Sequence, residues 1–255
     1  MNVAHLENDK LSNLPFYNER VDLACAFRWT ARLNMHEAVA NHFSLAVNDD
    51  NSQFLMNPNQ VHFSRIKASD LLLLDANDPE VLSRPNAPDL TAWGLHGAVH
   101  RNVPHARCVM HVHSIHATVL ASLANSTMPP IDQNSAMFFN RHVVDDQYGG
   151  LAFEEEGERC SQLLANPKHK VMVMGNHGVL VIGSSVADAF NRMFYFERAA
   201  ETYIKALWTG RPLRILSDAI AEKTAGEMDD YPAWAERHLS ELREILDEQE
   251  PVYRS

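Results

Sequence analysis

Cysteine is scarce in this chain: Cys25, Cys108 and Cys160 are the only three among 255 residues. They lie far apart and are odd in number, so neither a disulfide framework nor a CxxC metal site fits them. Three reduced thiols in a cytoplasmic protein are the expectation. Positive charge is also short, with 22 Lys and Arg against 33 Asp and Glu and a formal net charge of −11. Such a surface repels phosphate backbones and anionic bilayers, which argues against nucleic-acid and membrane partners. No apolar run approaches the roughly 20 residues of a spanning helix. Residues 1–10 have no basic flank followed by an apolar stretch, so no signal peptide is expected. No internal repeat, low-complexity tract or interdomain linker interrupts the sequence.

What is present suits a globular protein. Hydrophobic residues make up 45% and charged residues 22%, enough apolar material for a sizeable core and too little charge for disorder. The length is long for one domain and short for two. We expect an arm over 1–17, a main domain over 18–215 and a C-terminal helical extension over 216–255.

Periodicity divides the chain into alternating helices and short strands. Residues 21–40 carry apolar side chains at helical spacing without proline or glycine, which predicts one amphipathic helix ending at Asn41. Strands are predicted at 42–47, 54–58 and 71–74, with links short enough for antiparallel hairpins. Residues 77–89, with Pro79, Pro85 and Pro88, read as a loop, and Asp89 as the cap of a helix over 90–103. Then come a buried strand at 107–113, a helix at 114–124, a loop region holding the apolar stretch 136–139, and a helix at 153–166. An apolar hairpin is predicted over 171–183. Ser185 opens a long helix to about Trp208, with Asp188 as its capping-box partner. An amphipathic helix near 232–248 packs either on its own domain or at a subunit interface.

Of the fourteen histidines, spacing singles out a few. On a strand, residues i and i+2 share a face, so His111 and His113 project together from an otherwise apolar segment. Two imidazoles there need partners: a divalent metal, or else backbone and carboxylate groups. His177, between Gly175 and Gly178 at the turn of the apolar hairpin, is placed to complete a three-nitrogen site. Three protein ligands leave a position open, the pattern of catalytic zinc, although imidazoles also suit iron, manganese and cobalt. His96 and His100, one turn apart on the helix over 90–103, read as half-buried neutral histidines rather than a second site. His116, one turn beyond His113, is a candidate substrate contact. His42, His105 and His142 are read as ordinary.

The segments NHFS (41–44), VHFSRIKASDLLLLD (61–75), LHGAVHRNVPHARCVMHVHS (95–114) and NHGVLVIGSSVADAF (176–190) together resemble the class II aldolase/adducin family, in order and spacing over about residues 20–215. The resemblance implies a three-layer α/β/α fold around a largely antiparallel sheet. It implies a homotetramer with active sites between subunits and one divalent metal on His111, His113 and His177, with zinc the first expectation. In the family's sugar-phosphate aldolases the metal polarises a carbonyl.

The departures are as informative. The family's acid/base glutamate falls at Ala92, which carries no proton. The family's loop tyrosine has no counterpart between His113 and Tyr148, and Gln133 falls near its place. The phosphate-binding stretches read Asn57-Pro58-Asn59-Gln60 and Leu90-Thr91, where proline and leucine withhold donors. A standard sugar-phosphate aldolase is therefore disfavoured. The expectation is a metal-dependent lyase on a small carbonyl compound or oxygenated acid, with Tyr148 as candidate proton donor and Asn41, Gln133 and His116 as candidate substrate contacts. Two alternatives stand beside it: a non-catalytic, adducin-like assembly protein and a non-heme iron oxygenase on the same fold.

Overall fold

A computed structural model describes residues 14–150 and 153–255. Seven strands form one sheet: β1 (His42–Ala46), β2 (Gln53–Met56), β3 (Leu72–Asp75), β4 (Cys108–Val112), β5 (His142–Asp145), β6 (Val171–Met174) and β7 (Gly178–Gly183). Their order is β3-β2-β1-β4-β7-β6-β5. Every pairing is antiparallel except β5 with β6, which is parallel. The sheet is therefore mixed, though largely antiparallel as the family resemblance implied.

The central strands β4, β6 and β7 are buried on both faces, because helices cover both. Phe43, Leu45, Met110, Val112, Val171, Val173, Val179 and Val181 point to one face. There they join side chains from α1 (Tyr17–Arg32), α3 (Ile115–Ala121), α6 (Val186–Trp208) and α8 (Trp234–Gln249). The alternate residues Val109, Met172, Met174, Leu180 and Ile182 meet α2 (Leu90–Asn102) and α5 (Phe153–Leu164) on the other face. Two further helices, α4 (Gln133–Ala136) and α7 (Asp218–Asp229), complete the chain. The period-2 alternation of these strands thus sorts two apolar layers onto one sheet.

Helix α2 begins where the sequence placed it: the Asp89 carboxylate accepts from the amides of Thr91 and Ala92. Helix α2 also packs tightly on α5, because Gly157 lies against the Gly94 carbonyl; a Cβ at 157 would come within 2.4 Å of that oxygen. This close approach brings the first turns of α5 to the edge of the site.

Several expectations need correction. The first helix stops at Arg32 rather than Ala40. Asn34 and Ala38 turn to positive φ, and the loop they shape carries Glu37 and Asn41 to β4. The second strand ends at Met56 and the helix after β4 at Ala121. The expected arm lies outside the described residues over 1–13, and Tyr17 already begins α1. Strand β5 was not foreseen, and helix α7 was expected only as an unplaced part of the C-terminal helical extension. At α6 the Ser185 hydroxyl caps the Asp188 amide as expected, but the Asp188 carboxylate turns to Ser184 instead of completing the box. Helix α8 packs on its own domain: Leu239, Leu242 and Leu246 join the core and the Trp29 indole donates to the Leu242 carbonyl.

Candidate metal centre

Strand β4 places His111 and His113 on the face toward α2 and α5. His177 arrives from the β6–β7 turn, where Asn176 takes a positive φ of 58°. Gly178 is required behind it: a Cβ there would meet the Val112 carbonyl at 2.6 Å and the His113 ring at 2.8 Å. The three imidazoles converge, with one ring nitrogen from each lying within 4.8 Å of the others.

The outer nitrogens decide what the inner ones can do. His111 Nδ1 lies 3.1 Å from the Val179 carbonyl, and a carbonyl only accepts, so Nδ1 carries the proton. His113 Nδ1 bonds to the Glu37 carboxylate at 2.5 Å, which fixes the same tautomer. Both Nε2 atoms are then lone pairs, yet they stand 2.9 Å apart. Two acceptors facing each other repel unless a cation sits between them. A proton is disfavoured: burial and the neighbouring imidazoles hold His111 well below its ordinary pKa, and burial lowers His113 despite Glu37. The donor set therefore fits a divalent metal. His177 Nδ1 is buried without a hydrogen-bond partner, and Glu156 Oε1 lies 3.6 Å away. Of the three imidazoles, His113 thus has a hydrogen-bonded carboxylate behind it, the arrangement that orients metal-ligating histidines.

The site opens into a cavity of about 360 Å³. Val39, Ala40, Ala92 and Leu95 make its apolar wall, and Asn41, Asn57, Asn59 and Gln60 supply amides. His42, Asp89 and Glu156 also line it, as does Tyr148, whose half-exposed ring stands 6.0 Å from that of His177. Ala92 presents only a methyl group where the family glutamate would stand.

The candidate substrate contacts separate. Asn41 reaches the cavity, and its Oδ1 accepts from the Glu37 amide at 2.7 Å. His116 and Gln133 do not line it. His116 bonds instead to Glu197, whose carboxylate also caps the amides of His116 and Ala117 at the start of α3. Gln133 lies in a separate groove with Asp132, Leu216 and Tyr231. Sequence reasoning missed Glu37, His42 and Glu156. No local pattern marks them, since each meets its partner only through the tertiary fold.

Comparison with known proteins gives a consistent result. Residues 21–204 match the profile described as "Class II Aldolase and Adducin N-terminal domain". A Pseudomonas aeruginosa protein named after class 2 aldolases is 29% identical over 244 residues, covering 93% of this chain and 92% of the relative. The decarboxylase NovR of Streptomyces niveus is 26% identical over 212 residues, 82% of this chain and 72% of the relative. Among solved structures, an aldolase II superfamily protein from Pseudomonas syringae superposes with a TM-score of 0.83 at 26% identity, covering 94% of this chain and 96% of that one.

Proposed function

We propose, from the premise that this chain belongs to the class II aldolase/adducin family, that it is a metal-dependent lyase cleaving a carbon–carbon bond in a small, unphosphorylated carbonyl compound or oxygenated acid. The observation that carries this reading is the pair of facing lone pairs on His111 and His113, which a cation reconciles. His111, His113 and His177 would hold one divalent ion, zinc first, with iron, manganese or cobalt also suited to imidazole. When bound, the ion supplies Lewis acidity beside an open coordination position.

The cavity itself argues for an unphosphorylated substrate. Among the described residues, no Lys or Arg lines it. A helix N-terminus is a ready phosphate site, but at α2 the amides of Thr91 and Ala92 are already taken by the Asp89 carboxylate. Pro58 offers no amide hydrogen. Val39, Ala40, Ala92 and Leu95 accept a carbon skeleton, while Asn41, Asn57, Asn59 and Gln60 orient its oxygens. Proton movement falls to Glu156, the cavity carboxylate not engaged in capping a helix, and to the Tyr148 phenol. A relative named decarboxylase supports carbon–carbon cleavage as the reaction class. A cytoplasmic location, expected from the reduced thiols, and the homotetramer implied by the family belong to this reading. The homotetramer would be the means by which His116 and Gln133, remote from this cavity, approach a substrate.

The test loads purified protein with each metal in turn and screens unphosphorylated 2-oxo acids and aldols beside their phosphorylated counterparts. Cleavage of an unphosphorylated compound is expected. His177→Ala should abolish it together with metal content. Glu156→Gln should keep the metal and lower turnover by ~10²–10⁴. Metal-replete wild type that cleaves nothing, or that prefers phosphorylated compounds, defeats the proposal. Equal, negligible metal in wild type and His177→Ala would favour the adducin-like assembly role instead.

A further inference from the structure

A second cavity, of about 360 Å³, lies at the far end of the strands from the metal centre. Arg141 immediately precedes β5, Lys170 immediately precedes β6 and Ser184 immediately follows β7, and all three line it. His177 sits between β6 and β7 at the opposite end. Among the described residues the two cavities share no lining side chain. The first turn of α8, Trp234 to Glu236, forms another wall of the second cavity, beside Asn191 and Arg192 of α6. Its volume is that of a small-molecule site, and the metal chemistry makes no use of it.

Three sets of donors gather there without acceptors. The first is the start of α8. Ala233 precedes the helix at a positive φ of 54° and has no side-chain cap to offer. The first helical bond runs from the Arg237 amide to the Ala233 carbonyl at 3.0 Å, and among the described residues the amides of Trp234, Ala235 and Glu236 donate to nothing. Uncapped amides and the helix dipole together favour an anion. The second is Asn191, only 4% exposed. His238, one turn along α8, donates from Nδ1 to the Asn191 Oδ1 at 2.9 Å. Its Nδ2 has no partner among the described residues and is not sealed from solvent, so this buried amide lacks an acceptor on the cavity side. The third is the half-buried Lys170, whose ammonium donates to the Pro167 carbonyl at 2.5 Å and has further hydrogens to give. Burial first, and then Arg192, lowers its pKa, a penalty that an anion beside it would relieve. Carboxylates line the second cavity too, but they are paired or in water. Asp188 holds Arg192 at 2.8 Å and Asp229 holds Arg141 at 3.0 Å. Asp230 and Glu236 are exposed residues, where solvent and salt screen them. At the end of α7 the carbonyls of Gly226 and Met228 are taken by the amides of Asp230 and Tyr231.

We propose that this second cavity is a ligand site for an organic anion. Its carboxylate or phosphate head meets the start of α8, Asn191 and Lys170, and its apolar body lies against Met228 and Trp234. Both kinds of head offer the same chemistry, an oxyanion accepting several N–H donors at once. Met137 and Phe138 extend the apolar side of the wall, so a bare ion would leave part of the space unused. The site is independent of the metal and of the lyase reading.

Calorimetric titration of full-length, zinc-loaded protein tests this with three probes that share one ring: phenyl phosphate, phenylacetate and benzyl alcohol. At least one of the two anions should bind, the tighter of them identifying the head group, and the neutral alcohol should not. The same anion should still bind with one equivalent per chain to His177→Ala, whose metal centre is incomplete. Lys170→Gln should weaken it about tenfold or more. Asn191→Asp keeps an acceptor for His238 but turns a carboxylate toward the head, and should abolish binding. Lys170→Gln alters a half-buried side chain outside the core, so it decides the matter if Asn191→Asp does not fold. An absence of anion binding below about 10 mM overturns the site. So does benzyl alcohol binding as well as the anions, binding that disappears in His177→Ala, or affinity indifferent to Lys170→Gln.

Discussion

At the scale of single residues, Glu37 shows how a weak-looking group acquires a role. Its side chain is 63% exposed, where a carboxylate pair contributes little to stability. Its value lies in orientation: it holds the His113 proton on Nδ1 and so leaves Nε2 as a ligand. Loss of such an outer partner typically costs 10–100-fold in metal affinity. Glu37→Ala should therefore raise the zinc dissociation constant by about that factor, read by competition with a chromophoric chelator, while the thermal midpoint of metal-free protein stays put. Unchanged affinity would remove Glu37 from the site. The ligands themselves were readable in the sequence, because i and i+2 on a strand must share a face and a histidine between glycines at a hairpin turn is conspicuous. Glu37 and Glu156 were not, since they meet His113 and His177 from a loop and a helix remote in sequence or unmarked by any local pattern.

At the scale of elements, packing overrode local preference where the site demanded it. Residues 33–40 have helical periodicity, yet α1 stops at Arg32. The segment instead folds back so that Asn41 Oδ1 takes the Glu37 amide and Glu37 takes His113. Strand β5 escaped notice for a different reason: four residues in a proline-marked region carry too little alternation to announce a strand. The pairing of α2 with β1 makes a further prediction. His42 and His100 are buried, with pKa values lowered from 6.5 to about 3, and His96 is lowered well below 6.5, in each case first by desolvation. Below about pH 6.5 the unfolded chain takes up protons that these folded imidazoles refuse. Stability therefore rises with pH in this range, and is lost as pH falls from about 6.5 toward about 3. Each group contributes up to ~1.4 kcal/mol per pH unit in that window. Urea midpoints of metal-free protein should drop steeply between pH 7 and pH 5, and His100→Phe, beside Phe54, should flatten the slope. A midpoint indifferent to pH across that interval would mean that these rings are not held neutral in the core.

At the scale of the whole molecule, the family profile ends at residue 204, but the core does not. The three-layer arrangement was legible only through the resemblance to the family; the structure bears it out, with strands buried on both faces covered by helices on both sides. What covers α1 and α6 was not legible, because an amphipathic terminal helix suits its own domain and a subunit interface equally well. The structure resolves this through contacts that only the folded chain brings together. Leu239, Leu242 and Leu246 are buried against the main core, and Tyr253 is fully buried beside them. Tyr17 reaches the Arg254 carbonyl, Arg28 pairs with Glu250, and Arg243 with Asp22. Full burial of a leucine contributes roughly 1.5–3 kcal/mol, so these three side chains alone rival much of the roughly 5–15 kcal/mol that holds a domain folded. A chain cut after residue 215 would keep every metal ligand and every residue of the cavity wall, yet expose the apolar faces of α1 and α6. It should be insoluble or lack a cooperative unfolding transition by circular dichroism, and adding zinc should not restore one. A truncated protein that melts cooperatively and binds zinc like the full chain would show instead that α7 and α8 are an appendage to a self-sufficient metal domain.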